Sequence, residues 1–286
     1  MHCRNALALL AGVLSLAAVP TFGGAEAVRG EIAARLQGQL PSLATSDYAL
    51  GAAAFDAELR AELEANAGAG DAAVEAGRKL WAAKFRDGRT AATCFPNAGR
   101  RIAGNYPQYD ARLKRVVTLE MAINQCRKAH GEALYDPADE QTMGAISAYL
   151  RSLSNGQRIA VRVPAAAEDR FEQGRRLYFT RLGQRNFACA SCHLQGAGRR
   201  FAETPLSPAI GQATHWPVIR DGRPVTLQAR IRECLELMGA APFAPGSDEL
   251  NHLEYFLAYL SVGLPLKANT WRPAARSGAP PGSAAR

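Results

Sequence analysis

Asn186-Phe187-Ala188-Cys189-Ala190-Ser191-Cys192-His193-Leu194-Gln195-Gly196 is the stretch on which the reading of this chain turns. Two thiols separated by two residues, with a histidine directly after the second, form the attachment signature of a c-type haem. The spacing has a physical reason. Both sulfurs must reach the two vinyl groups of one porphyrin from a single helical turn. The imidazole that follows is then held beneath the ring as the proximal iron ligand. Cys189 and Cys192 are therefore read as covalent attachment points and His193 as an axial ligand. A zinc ribbon would need a second Cys-x-x-Cys, which the sequence lacks. A thioredoxin-like redox pair needs no histidine in that place and expects a βαβ setting.

Haem attachment at this pair presupposes an oxidising compartment, and the first residues supply the route. Met1 to Arg4 give a positive start, Ala6 to Val19 an apolar run, and Ala25-Glu26-Ala27 a small-x-small cleavage pattern. Residues 1–27 read as a secretory signal peptide: the run is too short for a membrane span, and no second apolar stretch stops transfer. A soluble mature chain starting near Val28 is expected, exported in a bacterium to the periplasm. Cys3 leaves with the signal. Of Cys94, Cys126, Cys189, Cys192 and Cys234, the haem takes two, and the rest allow one disulfide and one odd thiol. The net charge of +8 is unchanged by the loss of Arg4 and Glu26. A basic exported protein suits anionic partners or small anions, and no basic motif argues for nucleic acid. The composition, rich in Ala, Leu, Arg and Glu with few β-branched runs, predicts a mainly helical protein.

The sequence also repeats itself, faintly but three times in the same order. Gly77-Arg78-Lys79-Leu80-Trp81 answers Gly174-Arg175-Arg176-Leu177-Tyr178 at an offset of 97. Val117-Thr118-Leu119, Ile123, Cys126 and Gly131 answer Val225-Thr226-Leu227, Ile231, Cys234 and Gly239 at an offset of 108. Tyr149-Leu150, Leu153-Ser154 and Gly156 answer Phe256-Leu257, Leu260-Ser261 and Gly263 at an offset of 107. Three matches at nearly constant offset argue for a duplicated unit of about a hundred residues, the length of a small cytochrome c domain. The expected organisation is a signal peptide over 1–27, an N-terminal arm over 28–70, a haem-less cytochrome c-like domain over 71–160, a haem domain over 161–266 and a disordered Pro-rich tail over 267–286. Phe55, Leu59 and Leu63 predict one helix in the arm, and residues 154–168 read as a linker.

The duplication gives the remaining thiols a meaning. Thr93-Cys94-Phe95-Pro96-Asn97 stands where the second copy has its haem motif, but it carries neither second thiol nor histidine. The first copy therefore cannot attach haem covalently. Cys94 and Cys126 occupy the places of the haem motif and of Cys234, and a disulfide across that space is expected. Closing a loop of about 30 residues would contribute roughly 3–4 kcal/mol.

On the distal side of the iron four residues compete: Met238, His215, His252 and Cys234. Met238 is the choice by analogy with electron-carrier cytochromes. His215 lies in a loop before Trp216-Pro217, and His252 on the exposed-looking edge of the closing helix; both read as structural or surface residues. Leu227, Ile231, Cys234, Leu235 and Met238 fall on one helical face, so on periodicity alone Cys234 and Met238 are core residues. Two observations favour Cys234 as more than core. Its counterpart Cys126 pairs with the haem-motif position, so this face should point at the haem. Arg230 lies one turn earlier on the same side, with Arg232 nearby, and cations favour a thiolate.

At this point the residues carry a resemblance. A Leu-Trp helix, a haem-less first half, Cys-Ala-Ser-Cys-His-Leu-Gln-Gly and then Arg230-Ile231-Arg232-Glu233-Cys234-Leu235 resemble SoxA, the larger subunit of the SoxAX cytochromes of bacterial sulfur oxidation. The resemblance spans nearly all of residues 75–265. It implies one covalently attached haem c with His193 and Cys234 as axial ligands, the Cys234 sulfur modified to a persulfide, and a Cys94–Cys126 disulfide in place of a first haem. It also implies an L-cysteine S-thiosulfotransferase, which joins thiosulfate oxidatively to a cysteine of the carrier SoxYZ and releases two electrons through haem. Arg230 matches the anion-binding arginine, and a monohaem SoxX would be the partner subunit. Elementary chemistry agrees: a thiolate is a soft sulfur nucleophile, and a guanidinium takes a sulfonate face through bidentate hydrogen bonds. Thiolate ligation should also favour the ferric state and a low potential. Three rivals stand beside this reading. One is an electron-transfer cytochrome with His193/Met238 ligation; the second is a thiosulfate dehydrogenase forming tetrathionate, against which the single haem motif counts; the third is a mere docking subunit for another cytochrome.

Overall fold

The computed structural model describes residues 24–201 and 204–273. Most of the expected signal peptide (1–23) and the end of the expected tail (274–286) lie outside the described residues. The arm contributes α1 (Ala25–Gln39), which begins ahead of the expected cleavage point, and α2 (Ala57–Ala65). The first half then runs α3 (Asp71–Ala82), the hairpin β1 (Gln108–Asp110) and β2 (Arg115–Val117), α4 (Leu119–Ala129) and α5 (Ala145–Ser152). The second half begins with α6 (Glu168–Phe179) and a short ribbon of β3 (Arg200–Phe201) and β4 (Thr204–Pro205). It continues through the hairpin β5 (Val218–Arg220) and β6 (Arg223–Val225) to α7 (Leu227–Leu237) and α8 (Asp248–Leu260). Among the described residues no helix is long and apolar enough to cross a membrane.

Each repeat in the sequence is a joint in this architecture. Gly77 and Gly174 are where the first helix of each half crosses its last. A Cβ at Gly77 would lie 2.0 Å from the Ala145 carbonyl oxygen, and one at Gly174 2.0 Å from that of His252, so only glycine lets the backbones approach. The aromatic residue one turn on wedges the same crossing: Trp81 stands 6.4 Å from Tyr149 and Tyr178 5.2 Å from Phe256, between ring centroids. Thr118 and Thr226 cap α4 and α7, each hydroxyl accepting from the third amide along at 3.2 Å. Val117 and Val225 end antiparallel hairpins in matching registers, opposite Gln108 and Val218. Gly131 and Gly239 close α4 and α7 at φ of 71° and 73°, a region that disfavours side chains.

Three expectations are corrected. The segment read as a linker is ordered: Ile159 and Val161 are buried, and Ile159 exchanges backbone hydrogen bonds with Gly263 and Leu264 at 2.9 Å. Its alternation of apolar residues at 159, 161 and 163 is the period of a half-buried extended chain. The tail is ordered as far as 273. Thr270 and Arg272 pair with Ile219 on β5 at 2.9 Å, and the Asn269 amide donates to the Ala148 carbonyl at 2.9 Å, so the segment ties the two halves together. In the arm, Phe55 precedes α2 instead of lying on it, because Asp56 caps the helix by accepting from the Leu59 amide at 3.0 Å. The arm is packed: Ile32, Leu36 and Tyr48 are buried, and Thr214 donates to the Ala49 carbonyl at 3.0 Å.

Between the halves lies a cleft of about 290 Å³ lined by the starts of α4 and α7. Arg151 reaches from α5 toward two carboxylates there, Glu254 at 3.8 Å and Glu120 at 4.0 Å. Burial, with the charge of Glu120 added, pushes the Glu254 carboxyl up to about 8, against the opposing effects of Arg151 and Gln228.

Candidate active site

The haem motif is helical from Cys189 onward and runs into a π-helical turn, Ser191–Gln195, whose first residue accepts a hydrogen bond through its hydroxyl from the Ala188 amide at 3.1 Å. Ala188, Ala190 and Leu194 are buried and anchor the turn. This leaves Cys189 and Cys192 as free, half-buried thiols on its other side. Burial pushes Cys189 up to about 12 and raises Cys192 as well, with the charge of Cys234 the next cause in both. His193 is set by a backbone partner: Nδ1 donates to the Ser207 carbonyl at 2.8 Å. That hydrogen bond leaves Nε2 with its lone pair free, the state a metal-ligating imidazole requires. Burial holds the His193 imidazole down at about 4, so the ring is neutral.

The second group of candidate residues lies on α7. Leu227, Ile231 and Leu235 bury one face of it, and Met238 at its end is buried too, while Cys234 is half-buried beside that stripe. Cys234 and Arg230 both act on the haem motif. The Cys234 charge raises the two motif thiols and is the leading cause that raises Arg230; the Arg230 charge in turn presses the His193 ring toward its neutral form. Arg230 donates through Nη1 to Glu233 at 2.9 Å. Arg232 does not join it, because its Nε donates to the Phe243 carbonyl at 3.1 Å.

The other histidines proposed for the distal side are engaged elsewhere. His215 is buried with Nδ1 3.2 Å from the Thr214 hydroxyl and its ring 5.2 Å from that of Trp216. His252, expected on an exposed edge, is only 4% exposed, because α6 crosses α8 directly over it at Gly174. In the first half Cys94 and Cys126 form the expected disulfide, with Cα atoms 5.8 Å apart and a sequence separation of 32. His130 lies close enough to make a three-donor cluster with them, all donor atoms within 4.8 Å. Both thiols are spent in the bridge, so this is not a metal centre.

Sequence reasoning missed four residues. Glu233 and Arg220 flank Arg230, Ser207 orients His193, and Tyr178 is wholly buried beside Cys189 and Cys192 with a hydroxyl that finds no partner. Glu233 adjoins Cys234 and was open to suspicion; the others come from distant segments and leave no local signal. The donor set fits a haem c. It offers two free thiols for the vinyl groups, a neutral imidazole with one free nitrogen, a third thiol near enough to raise the other two, and a buried Tyr178 hydroxyl without a partner of its own.

Duplicated helical halves, one with a haem-attachment turn and one closed by a disulfide, define a c-type cytochrome of two tandem cytochrome c domains. A sequence profile described as SoxA/TsdA, cytochrome c domain, matches residues 76–159 and 173–266. A protein of Chlorobaculum tepidum is 43% identical over 194 residues, 67% of each chain, and one of Allochromatium vinosum is 42% identical over 199 residues, 68% of this chain and 70% of that one. Both are named L-cysteine S-thiosulfotransferase subunit SoxA. The fold is shared with the crystal structure of SoxXA from P. pantotrophus, at a TM-score of 0.69 and 24% identity, over 76% of this chain and 84% of that one. The chain belongs to the SoxA/TsdA cytochrome c family, and within it to the SoxA proteins, which makes it a thiosulfate-transferring enzyme with haem c as its cofactor.

Proposed function

We propose that this chain carries a single haem c, which Cys189 and Cys192 would attach and His193 and Cys234 would hold through its iron, and that Cys234 and Arg230 perform the sulfur chemistry. The observation that carries the reading is that Arg230 and Cys234 stand one turn apart on α7, near enough to the haem motif for the Cys234 charge to raise Cys189 and Cys192. Arg230 binds the sulfonate end of thiosulfate and holds its outer sulfur toward Cys234. The Cys234 thiolate and thiosulfate join as Cys234–S–S–SO3⁻, forming one sulfur–sulfur bond and releasing two electrons. A thiolate of the carrier then attacks the inner sulfur of the thiosulfonate, and Cys234 leaves as thiolate. The sum is carrier thiol plus thiosulfate giving carrier thiosulfonate, one proton and two electrons. Haem, when bound, would pass these electrons on one at a time, with the haem of the partner cytochrome as their onward acceptor.

The carrier would be SoxYZ and the partner subunit a monohaem SoxX, in the periplasm; the SoxXA likeness and the names of the relatives support the partner. The test is turnover with purified carrier. Cys234→Ala should abolish thiosulfate conjugation and alter the ferric EPR spectrum, and Arg230→Ala should raise the thiosulfate KM. Intact mass should exceed the mature polypeptide by one haem, with one disulfide. Normal turnover and an unchanged spectrum in Cys234→Ala would sink the assignment in favour of His193/Met238 electron transfer. Tetrathionate formed without any carrier would favour a dehydrogenase.

A further inference from the structure

Glu233 precedes Cys234 and is shared by two guanidinium groups. Arg230 donates to its Oε2 at 2.9 Å, and Arg220 Nη1 lies 2.9 Å from both of its carboxylate oxygens. The three side chains are buried to different degrees: Arg220 is 11% exposed, Arg230 29% and Glu233 34%. Arg220 comes from β5, and its neighbour Ile219 is fixed on both sides by backbone hydrogen bonds to Thr270 and Arg272 at 2.9 Å. Its Nε is buried without a partner. Among the described residues Arg230 makes no other hydrogen bond than that through Nη1, so its remaining donors are free.

A buried guanidinium is unfavourable unless something holds it. The Arg220 charge has a use at the anion site. Glu233 alone would tie Arg230 in place but cancel its charge, and a carboxylate beside the site would repel a dianion. With Arg220 the trio carries one net positive charge, and Glu233 remains a rigid hydrogen-bond acceptor.

We propose that Arg220 is a positioning residue for thiosulfate: through Glu233 it fixes the Arg230 guanidinium beside Cys234 and offsets the Glu233 charge, so that Arg230 meets the anion as a full cation. This rests on the reading of Cys234 and Arg230 as the site. Arg220 itself does not touch the substrate.

The experiment uses the holoprotein with its partner subunit and carrier, and reads thiosulfate KM and kcat together with the thiosulfate Kd measured by calorimetry without carrier. Arg220→Gln should raise KM and Kd about 10-fold, the scale of one lost charge interaction, while kcat stays within about 3-fold. Haem absorption and the EPR spectrum should stay as in the parent protein, and Arg220→Lys should recover most of the affinity. The double variant R220Q/E233Q restores the net charge and should bring KM back toward the parent value. Glu233→Gln alone adds a positive charge and should lower Kd, which keeps the idea testable if Arg220→Gln loses its haem. Three results would overturn it: an unchanged KM in Arg220→Gln, no recovery in the double variant, or a Kd in Glu233→Gln that does not fall. Failure of the underlying site reading looks different, since Arg230→Ala would then leave KM unchanged.

Discussion

Removing the Cys94–Cys126 bridge should destabilise the protein by about 3–4 kcal/mol while leaving its chemistry intact. The magnitude follows from the sequence separation of 32 between the two cysteines. Freeing a loop of that length restores to the unfolded chain about 12 cal/mol/K of entropy, close to 3.7 kcal/mol at room temperature. For a domain pair of this size that corresponds to a fall in Tm of about 10 °C. Cys94 is exposed and Cys126 is 4% exposed, so C94A/C126A also removes a buried sulfur from the packing beneath α4. Reduction with dithiothreitol leaves every heavy atom present and isolates the cross-link. The two treatments should agree within about 1 kcal/mol, the burial of the Cys126 sulfur accounting for the difference. Chelator must be present, because reduction would free two thiols beside His130, donors all within 4.8 Å and suited to zinc. Far-UV circular dichroism against temperature reads the shift, and conjugation of thiosulfate at 25 °C reads the chemistry. A Tm unchanged by both treatments would refute the entropic argument. Loss of turnover in a still-folded double variant would refute the assignment of the first half as structural.

Three further outcomes are expected. Gly174→Ala should be severely destabilising, by several kcal/mol, since its Cβ would meet the His252 carbonyl at 2.0 Å; Gly77→Ala should match it against Ala145, and urea titration showing either as neutral would contradict the helix crossings. Glu254 stays protonated in the folded state up to about pH 8, while in the unfolded chain it ionises near pH 4.5. Stability should therefore fall with rising pH across that window by about 1.4 kcal/mol per pH unit from this group, and Glu254→Gln should flatten the profile; an unaltered slope would count against it. Replacing Ser207 by alanine keeps the carbonyl that accepts from His193 Nδ1, so haem content should survive it, whereas His193→Ala should lose the proximal ligand and shift the ferric absorption spectrum.

Much of this protein was legible in the chain because the deciding features are local. Cys189, Cys192 and His193 belong to one turn whose spacing is dictated by porphyrin geometry. The repeats centred on Gly77 and Gly174 are legible because a helix crossing at van der Waals contact tolerates one residue type. The Cys94–Cys126 pairing followed from superposing the two halves. The alternation at Ile159, Val161 and Val163 was also present to be read as an extended strand, and the surrounding Ser, Gly and Pro residues masked it.

Other features were decided only when distant segments met. His252 lies on the face of α8 that α6 covers, so its burial depends on a crossing that its own periodicity does not reveal. The order of residues 267–273 depends on β5 offering Ile219 a free edge. Residue spacing along the chain was enough to pick out the haem-attachment motif and to put Cys234 and Arg230 on one side of a helix. It could not establish that Arg220, from a hairpin pinned by the tail, would share Glu233 with Arg230. An ion pair across ten or more residues of chain carries no spacing rule, because its geometry is set by the packing of strand on helix and not by the covalent path between them.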